Sequence, residues 1–220
     1  MTSRRSLLAA SVAAALAAVT AGCSGGGSSS SGGTMEGTGQ VQINPSKYRG
    51  DIITPVAKPT IMLTDASGKP YDIRTMTAGT VTLLYFGYTN CPRECPLTMA
   101  NTAAALRMLP AAEQAKVWVL FVTVDPARDT LARLRSWLGN FNPSFIGLRG
   151  TLSQIQAAAQ QTGIPVGTPI KGPDGAYALD HGTEMLAYST DNLAHESFFP
   201  STPSASIAHD LALLVTGHHP

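Results

Sequence analysis

The chain has 220 residues, 44% of them hydrophobic and 13% charged, with a formal net charge of +1. That length suits one domain of ordinary size plus extra segments. The near-neutral balance gives no support to a nucleic-acid partner, which would call for a basic surplus.

The first segment is not fold material. Met1 to Arg5 carries two arginines, Leu7 to Gly22 is an uncharged Ala/Leu/Val run, and Cys23 follows. A basic start, a short apolar stretch and small residues at its end spell a secretory signal over residues 1–22. The apolar run is about 16 residues, short of the roughly 20 that span a bilayer; an uncleaved N-terminal anchor helix is the other reading. The stretch T-A-G-C, residues 20–23, resembles the cleavage box of bacterial lipoproteins, with Thr20 where leucine is commonest. On that resemblance Cys23 is the lipid attachment residue. S-R-R-S-L-L, residues 3–8, resembles a twin-arginine export signal. Either way the domain is expected outside the cytoplasm and tethered to a membrane. Removing residues 1–22 takes out Arg4 and Arg5 and no acids, which leaves 13 basic against 14 acidic residues.

Residues 23–47 read as a flexible Gly/Ser-rich tether that buries too little to fold, and residues 48–220 as one domain. T-I-M-L-T-D-A-S-G-K-P-Y-D-I predicts a hairpin turning at residues 66–69. T-V-T-L-L-Y-F-G-Y, residues 80–88, is a continuous apolar run and predicts a strand buried on both faces. A helix is expected over 96–109, with Pro96 at its first position and Pro110 beyond its end. V-W-V-L-F-V-T-V, residues 117–124, predicts a second buried strand. A helix over 130–139, a short strand in S-F-I-G-L and a helix over 152–162 follow. E-M-L-A-Y-S and A-H-E-S-F-F read as an antiparallel pair turning at Asp191-Asn192, and a last helix covers about 204–215. This order predicts an α/β fold with a mixed central sheet and flanking helices, the arrangement of the thioredoxin fold.

Cys91 and Cys95 form a C-x-x-x-C pair, each followed by proline, just after the first buried strand. As a structural disulfide they would close too small a loop to constrain much of the unfolded chain. A turn capped by a helix starting at Pro96 would place both sulfurs on one exposed rim, where the helix N-terminus favours thiolate. Two thiolates select soft ions, Cu(I) or zinc, and a closed zinc site has no further cysteines to draw on. The local pattern leaves a redox couple and a copper site level. Five histidines could supply a third ligand. His218 and His219 read as a frayed tail, His209 as a surface helix residue and His195 as an exposed strand position. His181 lies in a loop entering a strand, beside Gly182, with Asp180 able to orient its ring.

At these residues the chain resembles the Sco/SenC family. F-G-Y-T-N-C-P-R-E-C-P, F-V-T-V-D-P-A-R-D-T, F-N-P-S-F-I-G-L-R-G-T and L-D-H-G-T-E-M-L-A-Y occur in the family's order and spacing, over roughly residues 48–216. The resemblance implies a thioredoxin-fold copper protein that helps assemble the copper centre of cytochrome c oxidase. It makes Cys91, Cys95 and His181 the metal ligands, for Cu(I) or Cu(II), and places Asp125 close to the site. The implied partner is the copper-bearing oxidase subunit or another copper acceptor. Arg93 and Glu94 depart from the family's acidic-plus-apolar pair, Gly182 from its Ser or Thr, and M-L-A-Y-S-T-D-N from its hairpin. The expected function is a membrane-tethered copper chaperone. A thiol-disulfide reductase using Cys91 and Cys95 is the alternative, which leaves open whether the protein is an enzyme. Further off stand a peroxiredoxin-like peroxidase and a binding module with a locked Cys91–Cys95 bond.

Overall fold

The structure, a computed structural model, describes residues 47–172 and 177–220. The expected signal over 1–22, Cys23 and the tether as far as residue 46 lie outside the described residues. Among the described residues no helix is long and apolar enough to cross a membrane.

Eight strands form one sheet: β1 (Asp51–Ala57), β2 (Met62–Asp65), β3 (Pro70–Asp72), β4 (Val81–Gly87), β5 (Val117–Thr123), β6 (Ile146–Arg149), and β9 (Met185–Tyr188) with β10 (Leu193–Phe198). A separate two-stranded hairpin joins β7 (Ile170–Lys171) to β8 (Tyr177–Ala178). The sheet order is β1-β10-β9-β4-β5-β6-β2-β3, with β4, β5 and β6 parallel and the other pairs antiparallel. The helices are α1 (Ile73–Met76), α2 (Glu94–Met108), α3 (Ala111–Gln114), α4 (Leu131–Gly139), α5 (Leu152–Thr162) and α6 (Ser204–Val215). This is the α/β, thioredoxin-like architecture with a mixed sheet that the order of elements predicts.

Alternation along β4 explains its unbroken apolar run. Val81, Leu83 and Tyr85 pack with α2, α4 and α6, while Leu84 and Phe86 pack on the other face with α5. All seven β4 residues are buried, each large aliphatic side chain contributing about 1.5–3 kcal/mol. Sheet and helices therefore fix the C-terminal ends of β4 and β5 rigidly, and the loops that follow inherit that rigidity.

Three elements depart from expectation. β1 carries Pro55, which argues against a strand by composition, yet β1 is the terminal strand and the register shifts between Ile52 and Val56. A proline is tolerated at such an edge because no neighbour needs its missing N–H. Helix α2 begins at Glu94 rather than Pro96; the first turn of a helix has no intrahelical acceptors to lose, so Pro96 fits as its third residue. The β7–β8 hairpin lacks the apolar alternation that would have marked it.

One buried carboxyl group lies near the β1 edge of the sheet. Glu196 on β10 is fully buried and neither carboxylate oxygen has a hydrogen-bond partner. Burial, followed by the negative charge of Asp210, pushes its carboxyl up to about 9. The folded protein thus holds a proton that the unfolded chain releases above the ordinary carboxylate range, so this residue's stabilising share is complete at low pH and is lost as pH rises toward 9. Glu196→Gln is expected to show little effect on denaturant midpoint at pH 4 and a gain on the order of 1–3 kcal/mol over the parent at pH 8. A difference that does not grow with pH would contradict a protonated Glu196.

Candidate metal centre

The cysteine pair follows the C-terminal end of β4, where parallel strands leave their loops free. Cys91 N–H donates to the Tyr88 carbonyl at 3.2 Å, closing a tight turn. Two residues earlier the loop is anchored by a buried carboxylate. Asp129 accepts from the Thr89 N–H at 2.9 Å, from Thr89 Oγ1 at 2.5 Å and from Thr123 Oγ1 at 2.7 Å. Arg133 adds bonds to Thr89 Oγ1 and Asn90 Oδ1. The end of β4 is thereby tied to the end of β5 through one side chain.

Both cysteines are free, with Cys91 at 8% exposure and Cys95 at 0%. The expected exposed rim is therefore corrected: because α2 starts two residues early, Cys95 sits inside its first turn and points into the core. Arg93, the residue before the helix, makes no side-chain cap. The Cys91 sulfur takes that role, accepting the Cys95 backbone N–H at 3.3 Å. Anions are favoured at this position because the first amides of a helix lack partners and its dipole is positive there.

These contacts split the two thiols. Hydrogen bonding from the Cys95 thiol, with further donation from His181 and the Cys95 and Arg93 amides, holds Cys91 at about 3 despite burial. Cys95 is pushed well above the ordinary thiol range by the same bond to Cys91 and then by burial. Tyr85 Oη lies 3.6 Å from the Cys95 sulfur. Gly87 makes the room: a Cβ there would come within 3.0 Å of that sulfur and 2.6 Å of the Tyr85 ring.

His181 approaches from the loop before β9. The loop is pinned on both sides, Gly167 N–H donating to the Asp180 carbonyl and Gly182 N–H to the Pro165 carbonyl, each at 2.8 Å. The ring meets Tyr88 and Tyr85 edge-on, with centroids 5.6 and 6.4 Å away. His181 Nδ1 lies 2.7 Å from the Gly182 carbonyl, so Nδ1 carries a proton, and Nε2 donates to Cys91 when the ring is protonated and offers a lone pair when it is neutral. The orienting partner is thus the Gly182 carbonyl rather than the exposed Asp180. Burial pulls the imidazole down, but the bond and charge of Cys91 outweigh it and leave His181 above its ordinary value. Gly182 itself is required: a Cβ would meet Glu184, Ile164 and Pro165 at 2.8–3.1 Å.

The structure brings Cys91, Cys95 and His181 to one place, without closing them around a point. Their donor atoms do not all lie within 4.8 Å of one another, a condition that only Asp191, His195 and His219 meet among the described residues. An ion held by all three therefore needs a side chain to close in. Asp125 is fully buried and organises its own loop, accepting from Tyr177 Oη at 2.9 Å and pairing with Arg128. Asp129, Thr89 and Gly87 escaped the sequence reading, although the second acid of V-D-P-A-R-D-T was the available signal.

The SCO1/SenC family model matches residues 56–216. ScoI of Bradyrhizobium japonicum, solved with copper bound, is 29% identical, with 72% of this chain and 99% of that one covered and a TM-score of 0.64. Apo Sco1 of Thermus thermophilus is 30% identical over 76% of this chain and 96% of that one, with a TM-score of 0.67. Mitochondrial SCO2 of Saccharomyces cerevisiae is 35% identical over 121 residues, 54% of this chain and 40% of that protein. Across the curated relatives the matched stretch spans 34% to 65% of their own length.

Alkylation by a small neutral reagent should select Cys91 and keep its rate from pH 8 down to pH 5, since the thiolate persists. Cys95 should stay unmodified in the folded chain. His181→Ala should move the onset of Cys91 reactivity to higher pH; mass mapping after quenching at each pH reads both.

Proposed function

The chain belongs to the SCO1/SenC family, and from that premise we propose that it is a membrane-tethered, extracytoplasmic copper chaperone. Copper is its cargo, held by Cys91, Cys95 and His181 and passed to the copper centre of cytochrome c oxidase. The observation that carries this reading is the Cys91 sulfur at the start of α2, accepting the Cys95 amide at 3.3 Å, beside an imidazole whose Nδ1 is already committed to a carbonyl. Ligand histidines ordinarily donate their other nitrogen in this way, which fixes the tautomer that binds metal. Two sulfurs suit Cu(I), and the added imidazole suits Cu(II).

The protein's own part is to hold the donors and let them go. The α2 amides stabilise Cys91 as thiolate before metal arrives. Cys95 loses its proton when an ion replaces the hydrogen bond between the sulfurs. His181 is the ligand on a separate loop and is the first to exchange for an acceptor's donor, because Cys91 and Cys95 share one rigid turn. Cys23 would carry the lipid, with residues 24–47 spanning from membrane to domain.

A second reading rests on the unequal thiols. Cys91, the more accessible and ionised, would attack an acceptor disulfide, forming a mixed disulfide and expelling one acceptor thiolate. Cys95 would then attack the Cys91 sulfur, releasing the second acceptor thiol and closing a Cys91–Cys95 disulfide. Two electrons pass to the acceptor, and a thiol reductant of the same compartment would restore the pair.

For the chaperone, the cysteine site should bind one copper ion, and His181→Ala should weaken Cu(II) binding there, followed through the sulfur-to-copper absorption band, by about 10- to 100-fold in a competition titration. Unchanged affinity would remove His181 from the ligand set. Catalytic turnover of a mixed disulfide that survives His181→Ala would favour the reductase. Cys23→Ser should shift the protein from membrane to soluble fractions after cell lysis; retention in the membrane fraction would refute lipid attachment at Cys23.

A further inference from the structure

A second cluster of ligating side chains lies away from the thiols and has no part in the function above. Asp191 stands in the β9–β10 turn, His195 on β10, and His219 on the tail after α6. One donor atom from each lies within 4.8 Å of the other two. His195 Nε2 donates to Asp191 Oδ2 at 2.7 Å, His219 Nε2 is 4.0 Å from the same oxygen, and the two rings stack at 4.6 Å. Sequence pattern suggested an exposed strand position for His195 and a frayed tail for His219. Instead His195 is 8% exposed and His219 covers it.

The carboxylate is aimed before any ion arrives. Asp191 Oδ1 accepts from Ser189 Oγ and from the Leu193 N–H at 2.9 Å, which leaves Oδ2 directed at His195. Asn192 makes the turn possible with a φ of 68°, a conformation asparagine tolerates better than most residues. The cation facing Asp191 is Lys58, whose ammonium donates to the Thr77 and Thr80 carbonyls and to Asn192 Oδ1, while burial lowers it to about 8. Its charge is thus largely engaged elsewhere.

Position separates this cluster from the cysteines. β9 runs antiparallel to β4, pairing Leu186 with Leu84 and Tyr188 with Thr82. The turn after Tyr188 therefore lies beyond the N-terminal end of β4, whereas Cys91 follows its C-terminal end. A seven-residue strand puts about 20 Å between them.

We propose that Asp191, His195 and His219 form a second metal site, for an imidazole-preferring divalent ion. With two imidazoles, one carboxylate and no sulfur, the set suits Cu(II), Ni(II) or Zn(II) and disfavours Cu(I), and the Irving–Williams order puts Cu(II) first. The ion would take the place of the proton between His195 and Asp191, with donors moving apart to accommodate bonds of about 2.0–2.2 Å. Two parallel stacked rings cannot both point at one ion, so His219 must turn out of the stack. Its place on an exposed tail makes that turn inexpensive.

Cu(II) titrated into the full chain carrying Cys23→Ser, Cys91→Ser, Cys95→Ser and His181→Ala should still bind at one ion per chain. Electron paramagnetic resonance should show coupling to two imidazole nitrogens. Asp191→Asn, which keeps the turn's acceptor, and His219→Ala should each weaken this binding more than about tenfold, while His218→Ala should not. Absence of bound Cu(II), or equal binding in Asp191→Asn, would overturn the site; the latter would mean that the tail histidines bind alone. Should the fourfold variant not fold, Zn(II) added to the otherwise unaltered chain should shift the ring-proton resonances of both His195 and His219. Shifts confined to His181 would equally refute the proposal.

Discussion

One negative charge, on the Cys91 sulfur, is held where little water reaches it, and the local structure follows from supporting it. A thiolate that is 8% exposed needs donors from the protein, since an unpaired buried charge is prohibitive. The Cys95 thiol, His181 and the Cys95 and Arg93 amides supply them. For the helix amides to reach, α2 must begin at Glu94, which draws Cys95 into its first turn and buries it. That burial in turn demands Gly87, because no Cβ fits between the end of β4 and the Cys95 sulfur. The loop cannot drift away from the helix because Asp129 clamps Thr89 to Thr123.

The sequence made the long elements legible because their patterns are strong. Helix α5 falls over 152–162 as expected, with Thr151 and Gln154 forming a reciprocal cap and Gly163 at a φ of 75° ending it. The two parallel core strands stand out by unbroken apolar runs. What escaped depends on tertiary context. Pro55 hid β1, since only its place at the sheet edge makes a proline harmless. Pro96 suggested a helix start, whereas it is the third residue of a turn whose amides serve a sulfur. The cysteine pair and His181 were legible as candidates, but their unequal protonation was not, because it arises from how the start of α2 sets one sulfur against the other, with His181 adding to it from a loop ninety residues away. Asp129 escaped notice because its partners, Thr89 and Thr123, meet it only in the fold.

The departures from the family pattern divide into two kinds. Gly182 is a packing necessity here: Glu184, Ile164 and Pro165 occupy the space a Ser or Thr side chain would need. Its carbonyl, which any residue would have, is what holds His181. Arg93 and Glu94 differ in surroundings. Arg93 is exposed and contributes its amide to Cys91, while the Glu94 carboxylate lies 3.8 Å from the Cys91 sulfur. A carboxylate beside a thiolate opposes the charge that the helix supports, yet it favours a cation arriving at that sulfur. On the proposed reading, its net effect is to make the empty anion less comfortable and a metal-bound state more so.

The same logic distinguishes the two ends of the sheet. At the C-terminal end of β4 the donors are sulfurs and one imidazole, drawn from a helix start and a pinned loop. Beyond its N-terminal end they are two imidazoles and a carboxylate, drawn from a hairpin turn and a tail. Soft and borderline donors thus occupy separate poles of one rigid sheet, with a fully buried strand between them. Donor type decides which oxidation state each pole prefers, and the rigidity of β4 keeps the two sets from merging into one mixed site. On the two proposals, Cu(I) is suited only to the thiolate pole while Cu(II) is suited to either, with no change in fold. On those proposals the thiolate pole requires a side chain to close in, whereas the imidazole pole requires a ring to unstack, so each set gives up a small local contact in order to bind.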